Sequence, residues 1–411
     1  MRAPESTPPS GEHASSQHAS GQHASGQHAS GGHRPDGRHP AEHLAADDTA
    51  AARLESLRSS SVESVALGVG TVAFVLVGVV ALIVFAGRHL SISGAGSLGE
   101  FAAIAGGVVA LLAYGGGRAA VWRISWFGAP ASGRRSRMSV AIEVFDTVAI
   151  AVAHAIVVLL LWAVLGYVLA RSFQDAFVFA FPGALLVSTA AAVSAYYVFL
   201  SAVKMNPLLL STVLAVFLVL GALTSMITAS DPHWWEQNLS ALGMTDDLSG
   251  MTFNLTVIVA GVLVTAIARY ATAAPGGAGR SPTRGELQVR TALIAIGILL
   301  TCVGIFPVNR FLLIHNTVAT GMALVFCALV IALRWLLPAL PRAFIVLGWV
   351  FLAVIAGVAV LFAIGDYNLT AVELVAAVLI FSWIIVFLRI TTATNADEAA
   401  RGRHQAVTER P

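Results

Sequence analysis

Residues Val65 to Gly87 read VALGVGTVAFVLVGVVALIVFAG, without a charged side chain. A helix rises about 1.5 Å per residue and a bilayer's hydrocarbon core is about 30 Å thick, so about 20 apolar residues cross it. Hydrocarbon offers no partner to a free N–H or C=O, so a spanning run must be an α-helix. The same reading holds at 98–115, 144–169, 176–201, 208–229, 252–271, 290–307, 312–333, 342–364 and 369–388. These runs are too long for the alternating strands of a membrane barrel. The expected fold is all-α: a polytopic membrane protein with about ten transmembrane helices. The second run, Gly-rich and carrying Glu100, and the short seventh run are the weakest.

Composition points the same way. Across 411 residues, 57% are apolar and 11% charged, against about 25% charged in soluble domains. Mean hydropathy is +0.80. So few charges cannot solvate a surface unless most of it faces lipid. That excludes a soluble globular protein, a disordered protein and a nucleic-acid-binding domain. The net charge of +2 gives no bulk attraction to DNA or RNA. Lys204 is the only lysine, a usage that fits a GC-rich coding bias. Cys302 and Cys327 lie inside apolar runs. They offer neither a disulfide framework nor zinc-ligand spacing and read as small apolar groups.

Residues 1–60 are low complexity. His13, His18, His23, His28 and His33 recur among Ser, Gly, Ala and Gln. Such a stretch has almost nothing to bury and is expected to be disordered. The imidazoles suggest metal collection, but their period of five fits neither a helix face nor a strand face. A slipped repeat in a dispensable tail is the simpler reading. No cleaved secretory leader is expected, because residues 1–64 are polar and far too long for a leader's basic start. The first span would act as an uncleaved signal-anchor. The rest divides into a four-helix N-terminal unit at 65–201, a six-helix core at 205–390 and a disordered tail at 391–411.

The cations are unevenly placed. Arg118, Arg123, Arg134, Arg135 and Arg137 follow the second run, and Lys204 follows the fourth. Arg280 and Arg284 follow the sixth, Arg334 and Arg342 the eighth, and Arg389, Arg401, Arg403 and Arg410 the tenth. The odd-numbered breaks hold only Arg88, Arg171 and Arg310. The positive-inside rule then places both termini in the cytoplasm, in a multi-pass protein of the inner or plasma membrane. The longest outer segment, 230–251, carries Asp231, Glu236, Asp246 and Asp247, with Trp234 and Trp235 suited to headgroup depth.

No catalytic motif stands out. Gly94-Ala95-Gly96-Ser97-Leu98-Gly99 satisfies G-x-G-x-x-G. Without a βαβ unit around it, the match reads as a turn between spans. No P-loop, H-E-x-x-H or G-x-S-x-G is present. Neither a cofactor nor a metal is indicated.

Ionisable groups inside a membrane are costly and mark functional candidates. His154 lies in the third run; its alternative is a neutral ring hydrogen-bonded across a helix interface. Glu143 and Asp146 read as a solvated, charge-paired helix start near Arg134 to Arg137. His315 lies about one turn into the eighth run, after Asn309 and Arg310. Glu373 lies at similar depth in the tenth, after Asp366. With the acidic segment 230–251, these make three polar clusters on one outer face. Arg310, Asn309 and Asp366 are candidates for binding a headgroup, with Arg310 pairing phosphate. His315, Glu373, Asp231 and Glu236 are candidates for moving protons. The alternative is that interfacial helix ends are simply polar.

Asp231-Pro232, then Asn238-Leu239-Ser240-Ala241-Leu242-Gly243, then Asn254 leading into a span with Gly261, resembles the first outer loop of DUF 998 proteins. These are bacterial six-helix membrane proteins similar to the Frag/DRAM/Sfk group. Gly304-Ile305-Phe306-Pro307 followed by His315-Asn316 resembles a second family feature, between its third and fourth helices. The likeness covers about 205–390. It implies a six-helix core with cytoplasmic ends. It also implies a connection to lipids, since the eukaryotic relatives are linked to lipid or GPI-anchor remodelling and phosphoinositide regulation. It adds Asn238, Ser240 and Asn254 to the binding candidates. Where that group tends to carry an acidic residue after the motif serine, this chain has Ala241, which weakens a serine-centred role for Ser240.

The leading expectation is a non-enzymatic integral membrane protein that binds, senses or organises lipid or envelope components at its outer face. A transporter or exporter of a small solute is one alternative. It needs polar groups at mid-membrane depth, and the sequence offers little beyond His154. An intramembrane enzyme acting on lipid headgroups is another. It needs His315 and Glu373, with Asp231 or Glu236, to converge.

Overall fold

A computed structural model describes the backbone at residues 40–128, 137–271 and 282–408, with side chains over 60–123, 140–269 and 282–391. The chain divides into two compact units, Met1–Leu57 and Arg58–Pro411. Its helices are α1 (Pro40–Phe85), α2 (Leu98–Gly128), α3 (Arg137–Ser172), α4 (Ala180–Val203), α5 (Pro207–Thr228), α6 (Leu248–Ala271), α7 (Arg284–Ile305), α8 (Leu312–Leu336), α9 (Arg342–Ala363) and α10 (Leu369–Thr408). Each contains a segment long and apolar enough to cross a membrane, including the weak second and seventh runs. The protein is an all-α, multi-pass membrane protein. The His repeat lies outside the described residues.

Two helices outrun their apolar segments. From Pro40 the chain is already helical where 1–60 reads as a disordered tail, and α10 continues to Thr408 through the tail read as disordered. Ala, Glu and Arg are good helix formers, and an adjoining span supplies the costly nucleus.

The polar breaks carry the signals that start helices. Asn206 caps α5 by accepting the Leu209 N–H at 2.9 Å, with Pro207 at the first helical position. Thr283 and Glu286 form a reciprocal capping box on α7. The G-x-G-x-x-G stretch serves the same purpose. Gly94 and Gly96 adopt φ of 103° and 71°, open to glycine without strain. Ser97 then accepts the Glu100 N–H at 3.1 Å to start α2. One feature is absent from the hydropathy pattern: β1 (His89–Ser91) pairs antiparallel with β2 (Phe177–Phe179), a short ribbon between two connections.

Within Arg58–Pro411, α2 packs on α3 and α4, α6 packs on α5 and α7, and α8 follows α7. α3 reaches α5 and α6, joining the first four helices to the last six. α6 and α7 approach closely through glycines. A Cβ on Gly261 would strike the Gly297 carbonyl and Thr301, and one on Gly297 would strike Thr265. Lipid tails are as apolar as leucine, so helices in a bilayer associate through close backbone approach and polar contacts. No G-x-x-x-G marks this seam: it uses single glycines facing threonines. Ala353 and Gly357 of α9 also stand four apart, but they form no such seam, since a Cβ on Gly357 would meet nothing within 4 Å.

Contacts between connections show which of them share a face. The β1–β2 ribbon joins the breaks after α1 and α3. Asn309 donates to the Met244 carbonyl at 2.9 Å, and Asn368 to the Trp235 carbonyl at 3.0 Å, joining the breaks after α5, α7 and α9. At the opposite end, Glu63 accepts hydrogen bonds from Tyr196 at 2.6 Å and Lys204 at 3.2 Å. Asp146, read as a solvated helix start, is instead 4% exposed and pairs with Arg269 of α6. α3 and α6 pack together there, and that excludes water from the carboxylate. Glu143 on the same helix accepts from Trp122 Nε1 at 3.0 Å.

The α6–α7 seam predicts a contrast. Gly261→Leu should destabilise the protein by about 3 kcal/mol or more, since overpacking a tight contact forces backbone shifts. Gly357→Ala should leave stability unchanged or raise it. Thermal unfolding of both variants in one detergent measures the difference, and equal midpoints would refute the assignment.

Candidate functional site

The segment between α5 and α6 folds into two short 3-10 turns, Trp234–Glu236 and Leu239–Gly243, the second lying on α6 and α10. Below it, Ser225 and Ser249 exchange hydrogen bonds with each other's carbonyls at 3.1 and 2.8 Å, locking the end of α5 to the start of α6.

Five of the polar residues singled out in the sequence, His315, Glu373, Asn254, Asn309 and Arg310, grip this segment. His315 is 5% exposed. Its Nδ1 lies 2.8 Å from the Phe306 carbonyl and its Nε2 3.1 Å from the Ser240 hydroxyl. A carbonyl only accepts, so Nδ1 carries the proton, and in the neutral ring Nε2 accepts from Ser240. Glu373 accepts the Leu239 N–H at 2.5 Å. Asn254 donates to the Gly243 carbonyl at 3.0 Å. Arg310 pairs with Asp246 at 2.8 Å, an exposed pair of small energetic weight. Asn368 holds Trp235 and also caps α10, accepting the Ala371 N–H at 2.9 Å. Side chains from α6, α8, α10 and two further connections thus fasten one loop.

Of the four proton-moving candidates, His315 and Glu373 meet at adjacent residues of one turn. Asp231 and Glu236 do not join them. Both are exposed, and Asp231 accepts the His233 N–H of its own loop at 2.8 Å. Asp366 is exposed on the turn before α10, and Asn238 precedes the second 3-10 turn, half-buried. His154 repeats the His315 arrangement: Nδ1 lies 2.7 Å from the Ile150 carbonyl and Nε2 2.8 Å from Ser201 Oγ. The Tyr114 ring sits 4.8 Å away. That is the neutral ring bonded across an interface.

An open cavity of about 530 Å³ lies beside the fastened loop, with Asp246, Asp247, Asn254, Asn309 and Arg310 in its lining. Asp247, missed as a site residue by sequence reading, caps α6 by accepting the Gly250 N–H at 2.9 Å. The hydroxyls of Ser230 and Thr245, with the Gly250 amide, hold its carboxyl down at about 2. The signal was there as an Asp three residues before Gly250 at a span's start. Among the described residues, no group of three or more His, Cys, Asp or Glu side chains is placed to hold a metal ion.

No protein-family model, curated protein or solved structure matches the chain.

Asp247 predicts a pH dependence. Its folded-state value lies below the ordinary 3.8, so its contribution to stability is complete above about pH 4 and is lost as pH falls towards 2. Asp247→Asn should lower the thermal midpoint near pH 6, with the difference from the parent closing between about pH 4 and 2. A difference that stays constant down to pH 2 would contradict this.

Proposed function

We propose that this multi-pass membrane protein binds a lipid headgroup or related envelope component, without catalysis, in the cavity beside the loop between α5 and α6. One observation carries the reading: a fastened loop holds that cavity open where the helices end. A loop fixed from several directions loses little freedom when a ligand arrives, so its cavity is preorganised. The lining carries one guanidinium among carboxylates and amides. A zwitterionic headgroup is therefore favoured, with phosphate towards Arg310 and ammonium towards Asp246. The positive-inside distribution assigns this face to the outside and the protein to the inner or plasma membrane. Membership of residues 205–390 in DUF 998 belongs to the same proposal and is supported by their short motifs.

The enzyme reading loses its main support. His315 and Glu373 are occupied in bonds to the loop, and the same His–Ser arrangement recurs at His154, away from the cavity. The transporter reading gains no second polar station from that histidine, whose two ring nitrogens are both engaged.

Two experiments test the proposal. Arg310→Ala and Asp246→Ala should each reduce the phospholipid retained by the purified protein about fivefold, as removal of one charge contact to a headgroup does. Native mass spectrometry measures it, and full retention in both variants would overturn the binding reading. A cysteine at Thr245, with Cys302 and Cys327 replaced by serine, should react with an impermeant maleimide on intact cells. Labelling only after permeabilisation would invert the topology.

A further inference from the structure

The side chains that line the cavity beside the loop are partly committed to fastening it, and what they still offer has a definite character. Asn254 and Asn309 each commit their amide nitrogen to a backbone carbonyl, Gly243 at 3.0 Å and Met244 at 2.9 Å. What each amide keeps is its oxygen, an acceptor. Asp247 is engaged by the Thr245 hydroxyl at 2.6 Å and the Gly250 N–H at 2.9 Å, which also uses the Thr245 proton. Asp246 accepts from Arg310, whose Nη2 lies 2.9 and 2.8 Å from its two oxygens. Both are exposed, and an exposed pair opens at little cost. The lining side chains thus present two amide oxygens and one carboxylate as acceptors, against one guanidinium as donor. Among the described residues that line the cavity, none is Phe, Tyr or Trp.

We propose that this cavity selects a primary ammonium head, that of an ethanolamine phospholipid, over a quaternary one. The proposal rests on the headgroup-binding reading above and names the head. A primary ammonium carries three N–H donors and a trimethylated one carries none. Against methyl groups, the Asp246 carboxylate and the two amide oxygens lose water without gaining a partner, and an acceptor left unpaired is costly. A quaternary ammonium is recognised instead by the faces of aromatic rings, which this lining lacks.

Charge agrees with the hydrogen-bonding capacity. When the head enters, phosphate takes the Arg310 guanidinium and the ammonium takes Asp246, so one exposed ion pair within the protein is exchanged for two with the ligand. The lining holds two carboxylates to one guanidinium, which disfavours a purely anionic head. The cavity's volume of about 530 Å³ falls within the range of about 300 to 1,000 Å³ common to small-ligand sites.

The test offers the purified full-length protein equimolar phosphatidylethanolamine, its N-monomethyl and N,N-dimethyl derivatives and phosphatidylcholine, with matched acyl chains. Native mass spectrometry reads the lipid retained. The series keeps one positive charge and removes N–H donors one at a time. Retention should fall with each methyl group, about tenfold from first to last, the effect of losing about one hydrogen bond to a charged group. Asn309→Ala, at an exposed position, should lower ethanolamine retention about fivefold and leave choline retention unchanged. A loosened loop would lower both, so equal falls overturn the acceptor role. Soluble glycerophosphoethanolamine should displace the lipid only at far higher concentration, and displacement at equal concentration overturns a membrane lipid as the source of the head. Equal retention across the methyl series overturns the selection. If that happens while Arg310→Ala and Asp246→Ala still strip lipid, the cavity reading survives and only the choice of head falls. An ethanolamine preference that persists in a variant carrying both substitutions, with no loss of lipid, lies elsewhere on the protein and overturns both.

Discussion

Hydrocarbon cannot hydrogen-bond, and nearly everything in this structure follows from that. Backbone groups in the spans must pair within their own segment, which makes every spanning run a helix. Side-chain polar atoms face the same demand. Thr71, Thr189 and Thr317 return their hydroxyls to the carbonyl four residues earlier at 2.7 to 2.9 Å. Ser225 and Ser249 satisfy each other across α5 and α6. The two buried histidines each use both ring nitrogens. A polar residue at membrane depth is therefore first a pairing problem, and only what remains after pairing is available for function.

That ordering changes the meaning of the polar clusters on the loop face. By residue type, a histidine and a glutamate near a serine suggest acid–base chemistry. By geometry, His315 and Glu373 hold consecutive residues of one 3-10 turn, and Asn254, Asn309 and Asn368 hold three backbone carbonyls around it. Leu239 and Ser240 would otherwise place a free N–H and hydroxyl at the edge of the hydrocarbon. What the fastened residues leave is a space beside the loop, with Arg310 and Asp246 in its lining.

The ten spans were legible because each needs only length and hydrophobicity, and both are properties of a single run. The face shared by the odd connections was legible from the placement of arginines, a one-dimensional signal. What escaped depends on two runs at once. The Gly261–Gly297 seam has no motif because its glycines face threonines of the partner helix and do not recur at a spacing of four. The Asp146–Arg269 pair links positions 123 residues apart, so Asp146 read as a neighbour of nearby arginines. The β1–β2 ribbon is too short for a periodic signal. His315, Glu373 and Arg310 were visible as residues, but their partners lie on a loop whose fold no spacing reveals.

The packing is also unequal along α8, α9 and α10, and the sequence holds the cause. Away from the loop stand Phe326, Phe344, Trp383 and Phe387, large rings that meet edge-on or stacked. Toward the loop, the positions one or two turns above them on α8 and α10 are Ala319, Ala376 and Ala377. Alanines bring little area and no reach, and there the turn shared by His315 of α8 and Glu373 of α10 supplies the tie between those two helices.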